Sequence, residues 1–342
     1  MTKFNVRLNQ EYNKGIQQIL QSNNIKVKHF DAILNDFIIV ETNDKDELYE
    51  FDFIKSIKET RIGRLLDLPK NQKTVHLKVK PTPELNLKPL RDKGLYGLGT
   101  KIAVIDSGYD IERVGEVECA MNFTNHPNSY DTCGHGSIVI GQILNIISKA
   151  KIYSAKVCIR DNDIDEEDVF RALDWVTTLS DVKVINLSLG MDAKCQGDCD
   201  LADKINAMEK MGYIIVAAMG NNGSYTHCPA CAENAISVGA LDKTGKTVAC
   251  YSSQGHINSN KPDLVAQGHG VETFLGVNHD FQGTSFAAPI VTGLLGATYN
   301  MFKENKEVKQ YLISSCEPLI NVPRTKQGYG KIDLEKFLEE IT

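Results

Sequence analysis

Apolar and polar positions follow two different patterns along the chain, and each pattern predicts its own kind of fold. In the first part, the two-residue alternation of strands is interleaved with the spacing of about 3.6 residues that is typical of helices. The pattern predicts strands at residues 4–8, 25–30, 36–41 and 54–62, and helices around Ile16 and Leu48. The resulting order β-α-β-β-α-β within residues 1–66 is that of a small ferredoxin-like α+β unit.

From Thr100 onward, near-continuous apolar runs of strand length are separated by longer stretches with helical spacing. The runs lie at residues 102–105, 152–157, 182–189, 213–218 and 235–238, and the helical stretches at 137–147, 166–179, 200–211 and 286–301. Strands that are apolar throughout favour a parallel sheet covered on both faces by helices. We therefore expect one large α/β domain over residues 91–342. The Lys- and Pro-rich residues 67–90 between the two parts are interpreted as a linker and N-terminal arm.

Composition and charge narrow the class of protein. The chain has 342 residues, of which 42% are hydrophobic and 24% charged, as in ordinary globular proteins. Its net charge of −6 provides no basic surface for nucleic acid and no polybasic arm for a membrane. It has neither the apolar run of a membrane helix nor that of a signal peptide. We expect a cytoplasmic protein without nucleic-acid or membrane partners, and export by a route without such a signal stays open.

Three short motifs carry candidate chemistry. Asp106 closes the first apolar run of the α/β part, His135 lies between two glycines before a helical stretch, and Ser285 stands at the start of another. Each motif alone has an ordinary structural explanation: a capping carboxylate, a histidine in a glycine-rich turn, and an N-cap serine. Together they supply a nucleophile, a base and a carboxylate that orients the base.

The order Asp106, His135, Ser285 and the flanking sequences V-I-D-S-G, G-H-G-S and G-T-S-x-A-A-P resemble the subtilisin-like serine proteases, the subtilases. The resemblance implies a three-layer α/β/α domain and a serine endopeptidase that needs no cofactor for its chemistry. It also implies that Asn221 forms the oxyanion hole. A catalytically idle subtilase that serves as a binding or scaffold protein is the alternative. A dinucleotide-binding protein is disfavoured because no G-x-G-x-x-G follows the first apolar run.

The same resemblance assigns the substrate side of the site. The stretch Ser188, Leu189, Gly190 is expected to pair its backbone with a peptide or protein substrate. Gly220 belongs to the same substrate-binding set, and His227 is expected near the floor of the specificity pocket.

The resemblance further implies that residues 1–66 are a propeptide that inhibits the enzyme intramolecularly. Autoprocessing is then expected near Leu66, within residues 64–80. A calcium-binding loop that is common in the family after the His135 helix is expected to be absent, because residues 142–150 run almost directly into the next strand.

Four of the nine cysteines form two close pairs that the resemblance does not explain. Cys195 and Cys199 follow the Ser188 stretch, and Cys228 and Cys231 follow Asn221. Four thiolates in two pairs suit a structural zinc ion, although one pair has three intervening residues. Disulfides and free thiols are the alternatives, and a reducing compartment disfavours disulfides.

Overall fold

The computed structural model describes residues 1–65, 78–81, 84–160, 163–191, 195–257, 259–274, 277–302 and 305–342. The first unit contains β1 (Thr2–Leu8), α1 (Lys14–Ser22), β2 (Lys26–Phe30), β3 (Phe37–Thr42) and β4 (Ile54–Glu59). Its four strands form an antiparallel sheet in the order β2-β3-β1-β4. In place of the predicted second helix, the chain forms only a short 3₁₀ helix at Asp46–Glu50, which buries Leu48.

The remaining strands form one large sheet and two small ones. They are β5 (Ile62–Leu65), β6 (Lys78–Pro81), β7 (Lys101–Asp106), β8 (Cys119–Asn122), β9 (Lys151–Lys156), β10 (Ile164–Asp165), β11 (Val184–Leu187), β12 (Leu189–Met191), β13 (Ile214–Ala218), β14 (Ile236–Leu241), β15 (Leu264–Gln267), β16 (His269–Phe274), β17 (Val277–Gln282), β18 (Cys316–Glu317) and β19 (Lys331–Ile332).

The helices of this part cover both faces of the large sheet. They are α2 (Lys88–Asp92), α3 (Ile111–Val114), α4 (His135–Ile146), α5 (Glu166–Thr177), α6 (Asp200–Lys210), α7 (Thr284–Thr298), α8 (Asn305–Ser314), α9 (Arg324–Gln327) and α10 (Leu334–Glu340). None of the helices in the described ranges is long and apolar enough to cross a membrane.

The large sheet has the order β18-β19-β15-β14-β13-β11-β7-β9-β8 and is parallel except for the edge pair β18–β19. An apolar core lies on each face of this sheet, and alternate residues of a strand point into opposite cores. Ile102 and Val104 of β7 pack on the face covered by α4 and α7, whereas Ala103 and Ile105 pack on the face covered by α5 and α6. The predicted α/β fold with a mainly parallel sheet is therefore confirmed.

The strand order places a crevice between β7 and β11. From β7 the chain continues to β8 and β9, which lie on one flank of β7 within the sheet. It then crosses to β11, which lies on the other flank. In open α/β sheets, ligands bind at such a switch point, outside the carboxyl ends of the strands. The predicted strand over residues 182–189 is divided here, because β11 ends at Leu187 and β12 belongs to a small separate sheet.

The segment after β4 also differs from the prediction of one strand over residues 54–62. The strand β5 is separate and runs antiparallel between β10 and β12, with Leu65 opposite Leu189 and Arg64 opposite Gly190. Within the predicted linker, β6 pairs with β16 and α2 begins at Lys88, while residues 66–77 and 82–83 lie outside the described ranges. The domain boundaries stay a prediction.

Charged contacts join the first unit to helices α5 and α6. The ammonium of Lys204 lies between the carboxylates of Asp31 and Asp174, and neither Lys204 nor Asp31 exposes its side chain. Arg7 donates from Nε to Asp200 at 2.7 Å, and the ring of Phe37 stacks on that of Phe170 with centroids 4.7 Å apart. The interface therefore combines matched charges with apolar packing, because Phe37 and Ile39 of β3 belong to the same buried cluster as residues of α5 and α6.

Replacing Lys204 by Met should destabilise the chain strongly. Burial alone raises the pKa of Asp31, but the neighbouring His29 and the charge of Lys204 hold that pKa at about 2. Removing the ammonium leaves the buried carboxylate of Asp31 without its lysine partner, which lowers the free energy of unfolding by about 3–5 kcal/mol. Urea unfolding of the chain kept intact by Ser285→Ala measures the loss. The exposed pair of Lys88 and Asp92 provides the control, because Lys88→Met should leave the free energy of unfolding unchanged.

The stability of the intact chain should fall as the pH rises through neutrality. His29 Nε2 lies 3.2 Å from Asp174 Oδ2 and 3.8 Å from Asp31 Oδ2. Burial lowers the pKa of His29, but these carboxylates outweigh burial and raise the pKa above its ordinary value. The protonated ring therefore stabilises the folded chain fully below the ordinary histidine pKa of about 6.5 and loses this effect above the raised value.

Urea unfolding between about pH 6 and pH 8 tests this dependence. His29→Gln should flatten the decline, whereas His279→Gln, in β17 of a different sheet, should keep it. An equal decline in the His29 variant would contradict the role of this histidine.

Candidate active site

The carboxyl end of β7 brings a carboxylate to a histidine. Asp106 is the last residue of the strand, and its Oδ1 lies 2.7 Å from Nδ1 of His135, the first residue of α4. Both side chains are buried. The close approach requires Gly136, because a Cβ there would lie 2.2 Å from the carbonyl oxygen of Gly108. The sequence predicted the pair, and the structure brings the two residues together.

Asp131 fixes the loop before His135, a role that the sequence analysis did not assign. Its Oδ1 accepts hydrogen bonds from Ser107 Oγ at 2.8 Å and from the backbone N–H of Gly134 at 2.8 Å. Its Oδ2 accepts from both N and Oγ of Ser137, at 2.8 and 2.6 Å. Its bonds to the nearby N–H groups of Cys133 and Gly134 follow the local pattern of an Asp in a turn, but the partner Ser107 lies in a different loop.

Lys156 is a second residue that the sequence did not reveal. It ends β9 beside β7, and its buried Nζ donates to the carbonyl oxygens of Ser107 and Tyr130, at 2.9 and 2.6 Å. Burial lowers the pKa of this ammonium. The lysine thereby ties the loop after Asp106 to the loop before His135.

Ser285 lies in the first turn of α7, next to the end of β11. Its Oγ donates to the carbonyl oxygen of Ser188 at 2.9 Å, and Ser188 Oγ donates to the carbonyl oxygen of Ser285 at 2.8 Å. Asn186 donates to Ser188 Oγ at 2.9 Å and accepts from Thr292 of α7 at 2.8 Å. These reciprocal bonds fix the serine against the strand ends at the switch point.

Asn221 is bound to the same helix terminus. Its Oδ1 accepts hydrogen bonds from N and Oγ1 of Thr284, at 2.8 and 2.9 Å, and Thr284 Oγ1 also accepts from Gly220 N–H at 3.0 Å. The Nδ2 of Asn221 is buried and has no hydrogen-bond partner within the part of the chain that the structure describes. A fixed amide donor therefore lies beside the first turn of α7, whose own N–H groups have no partner within the helix.

The predicted substrate residues surround this centre. Leu189 and Gly190 form the strand β12, which follows Ser188 directly. His227 Nε2 lies 2.7 Å from Nδ2 of Asn222, and its ring lies beside Gly220, where a Cβ would be 3.7 Å from His227 Cδ2. The structure thus brings the predicted catalytic and substrate residues to one end of the sheet. The expectation that His227 lies near the floor of the specificity pocket stays a prediction.

The two cysteine pairs also meet in space. Cys195, Cys199 and Cys228 place their sulfurs within 4.8 Å of one another, and Cys231 Sγ lies 3.4 Å from Cys195 Sγ. All four side chains are buried free thiols. A second group of potential metal ligands, His29, Asp31 and Asp174, instead surrounds the ammonium of Lys204.

The connection from α4 to β9 consists of residues 147–150, as the sequence indicated. The expectation that this connection lacks a calcium site stays a prediction.

The arrangement supplies the groups for attack by a hydroxyl on a carbonyl carbon. It has a serine at a helix N-terminus, a histidine oriented by a carboxylate, and an amide donor for a developing negative charge. The positive end of the α7 dipole favours the same negative charge.

Comparison with known proteins agrees with this geometry. The family model of the subtilase family, peptidase family S8, matches residues 97–331. Subtilisin BL from Lederbergia lenta is 31% identical over 243 residues, which cover 67% of this chain and 87% of that protein. Alkaline elastase YaB from Bacillus sp. is 28% identical over 260 residues, which cover 72% of this chain and 66% of the elastase.

Among solved structures, fervidolysin from Fervidobacterium pennivorans, a keratinolytic enzyme related to subtilisin, has a similar fold, with a TM-score of 0.76 at 19% identity. That likeness covers 99% of this chain but only 61% of fervidolysin, so the chain spans about three fifths of its length. The family match and the relatives show that this chain belongs to the subtilase family of subtilisin-like serine proteases.

Proposed function

We propose that this chain is a serine endopeptidase that hydrolyses peptide bonds through Asp106, His135 and Ser285. The observation that carries the proposal is the 2.7 Å contact between Asp106 Oδ1 and His135 Nδ1 at the switch point that also holds Ser285. His135 takes the proton of the Ser285 hydroxyl as general base and returns it to the leaving amine. Asp106 orients the imidazole and stabilises its protonated form.

The reaction then passes through an acyl-enzyme. The Ser285 oxygen attacks the peptide carbonyl carbon, and Asn221 Nδ2 and the Ser285 backbone N–H donate to the resulting oxyanion. The amine leaves with the proton from His135. Water next attacks the ester, again with His135 as base, and releases the acid and the serine. The proposed chemistry uses only groups of the chain itself.

The substrate would bind as an added strand. The strand β5 lies between β10 and β12 as the middle strand of a three-stranded antiparallel sheet. An extended peptide of one strand width fits the same slot, with backbone hydrogen bonds to Leu189 and Gly190. This geometry supports peptide or protein substrates.

The position of β5 also supports a zymogen that is inhibited by its own N-terminal unit. In the intact chain, β5 pairs with the strand that a substrate would use, and His135 and Ser285 are both buried. We therefore propose that residues 1–66 act as a propeptide and that the chain cleaves itself within residues 64–80, near Leu66. Leu66 and most of this range lie outside the described residues.

We also propose that the protein acts in the cytoplasm or another reducing compartment. Its nine cysteines, all in the described ranges, are free thiols, including four that lie close together. Export from the cell is the alternative.

Replacing Ser285 by Ala should abolish both peptidase activity and processing. Loss of the nucleophile should reduce hydrolysis by at least about 10⁴-fold. N-terminal sequencing should find the wild-type chain beginning within residues 64–80 and the variant uncleaved. Ser148→Ala, an exposed serine on a loop, is the matched control and should be processed like wild type.

Two results would contradict parts of this proposal. Self-cleavage of the Ser285 variant would contradict the assignment of the nucleophile, and a wild-type chain that keeps Met1 or Thr2 would contradict the propeptide. A fluorophosphonate that labels Ser285 supports an enzyme. Failure to label it in the folded protein would favour a catalytically idle binding protein.

Replacing Asn221 by Ala should lower kcat by about 10²–10³-fold with little change in KM, because the donor acts mainly in the transition state. Asn221→Asp separates this role from a structural one. The aspartate keeps an oxygen for Thr284 but loses the N–H donor, so it should be as inactive as the alanine variant while it unfolds at the temperature of the equally uncleaved Ser285→Ala protein. A fully active aspartate variant would exclude Asn221 from the oxyanion hole.

A further inference from the structure

We propose that the sulfurs of Cys195, Cys199, Cys228 and Cys231 bind one structural zinc ion. The site lies outside the catalytic machinery, in the two loops that follow β12 and Asn221. It joins two segments of the chain, with 28 residues between Cys199 and Cys228. The proposal does not depend on the proteolytic function.

The sulfur positions suit a tetrahedral ion. With zinc–sulfur bonds of about 2.3 Å, the sulfurs of a regular tetrahedron lie about 3.8 Å apart. The sulfurs of Cys195, Cys199 and Cys228 lie within 4.8 Å of one another, and those of Cys195 and Cys231 are 3.4 Å apart. Cys231 is not among the sulfurs that all lie within 4.8 Å of one another, so a four-coordinate site requires its side chain to turn toward the other three. The contact of 3.4 Å is also much longer than the disulfide bond of about 2.05 Å.

Two hydrogen-bond donors contact the sulfurs of this cluster. The backbone N–H of Gly197 donates to Cys195 Sγ at 3.3 Å, and the guanidinium of Arg61 donates to Cys199 Sγ at 3.4 Å. A zinc ion with four thiolates carries a net charge of −2, which a nearby guanidinium and backbone N–H groups stabilise. Arg61, which also binds Glu166, belongs to residues 1–66 and would support the site only in the uncleaved chain, whereas Gly197 would support it in both forms.

The loop between the first pair has the conformation that such a site needs. Gly197 has φ of +96°, and a Cβ there would lie 2.8 Å from the carbonyl oxygen of Cys231. A glycine therefore allows the first loop to approach the second closely while its own N–H donates to the Cys195 sulfur. The turn at Gly197 lets Cys195 and Cys199 approach each other although three residues separate them.

The ligand set selects zinc among the common metals. Four soft thiolates without oxygen ligands disfavour magnesium, calcium and manganese, and tetrahedral sulfur coordination favours zinc or iron. All four positions of the ion would be filled by the protein, and the sulfurs are buried, so a structural role follows.

The ion would stabilise the substrate side of the catalytic site. The backbone N–H of Met191 donates to the carbonyl oxygen of Cys228 at 2.8 Å, so the second loop holds the end of β12. Cys199 directly precedes α6. A zinc ion would thus connect β12, α6 and the loop after Asn221.

Metal analysis of the full-length Ser285→Ala protein tests the site. After removal of loosely bound metal, we expect about one zinc per chain, and less than about 0.2 would overturn the proposal. Cys228→Ser with Cys231→Ser should reduce the zinc content to that lower level. The matched control, Cys119→Ser with Cys250→Ser, should keep it, and zinc retained by the first variant would place the ion elsewhere.

Two measurements on the cysteine-intact protein keep the test decisive if the double variant fails to fold. Thiol titration in denaturant with a chelator should count all nine cysteines, whereas one or two disulfides would leave about seven or five. Cobalt exchanged into the protein should give the visible absorption of tetrahedral thiolate coordination. Disulfides, iron in place of zinc, or cobalt without this absorption would overturn the assignment.

Discussion

The complete burial of helix α7 is the constraint on which the rest of the site depends. All of its residues from Thr284 to Thr298 are buried between the sheet and α4. The polar groups around its first turn therefore depend on partners inside the protein rather than on water. Asn221 Oδ1 satisfies Thr284, and the exchange of bonds between Ser188 and Ser285 fastens the same turn to β11. The requirement for buried hydrogen bonds thus assembles the nucleophile, the amide donor and the substrate strand in one place.

The first unit is attached by charged contacts as well as by apolar packing. The large domain has two apolar cores, and Phe37 and Ile39 of the first unit belong to one of them, while Lys204, Arg7 and their carboxylates supply buried ion pairs. Buried ion pairs contribute little net stability compared with apolar packing, but they specify one arrangement because a misplaced charge is costly. An interface of this type suits a segment that must bind in one register and later be released.

Local patterns in the sequence predicted the parallel strands, the first sheet and the residues that meet at the switch point. They could do so because strand periodicity and glycine-flanked polar residues act over a few neighbours. The roles of Asp131 and Lys156 were not predictable in this way, since their partners Ser107 and Tyr130 lie in other loops. The strand predicted over residues 182–189 was too long because its apolar pattern continues through Ser188, where the chain changes sheets.

The small sheet around β5 explains why the substrate side needs support from elsewhere. Its outer strands β10 and β12 contain only two and three residues, and β5 is the strand that joins them. If processing removes β5, these strands lose their shared hydrogen-bond partner and border an open slot. Ser188 at the helix terminus then holds the start of β12, and the hydrogen bond from Met191 to the Cys228 carbonyl oxygen holds its end. A cross-link between the cysteine loops would keep this edge in place while β5 is exchanged for a substrate, because it does not depend on the departing strand.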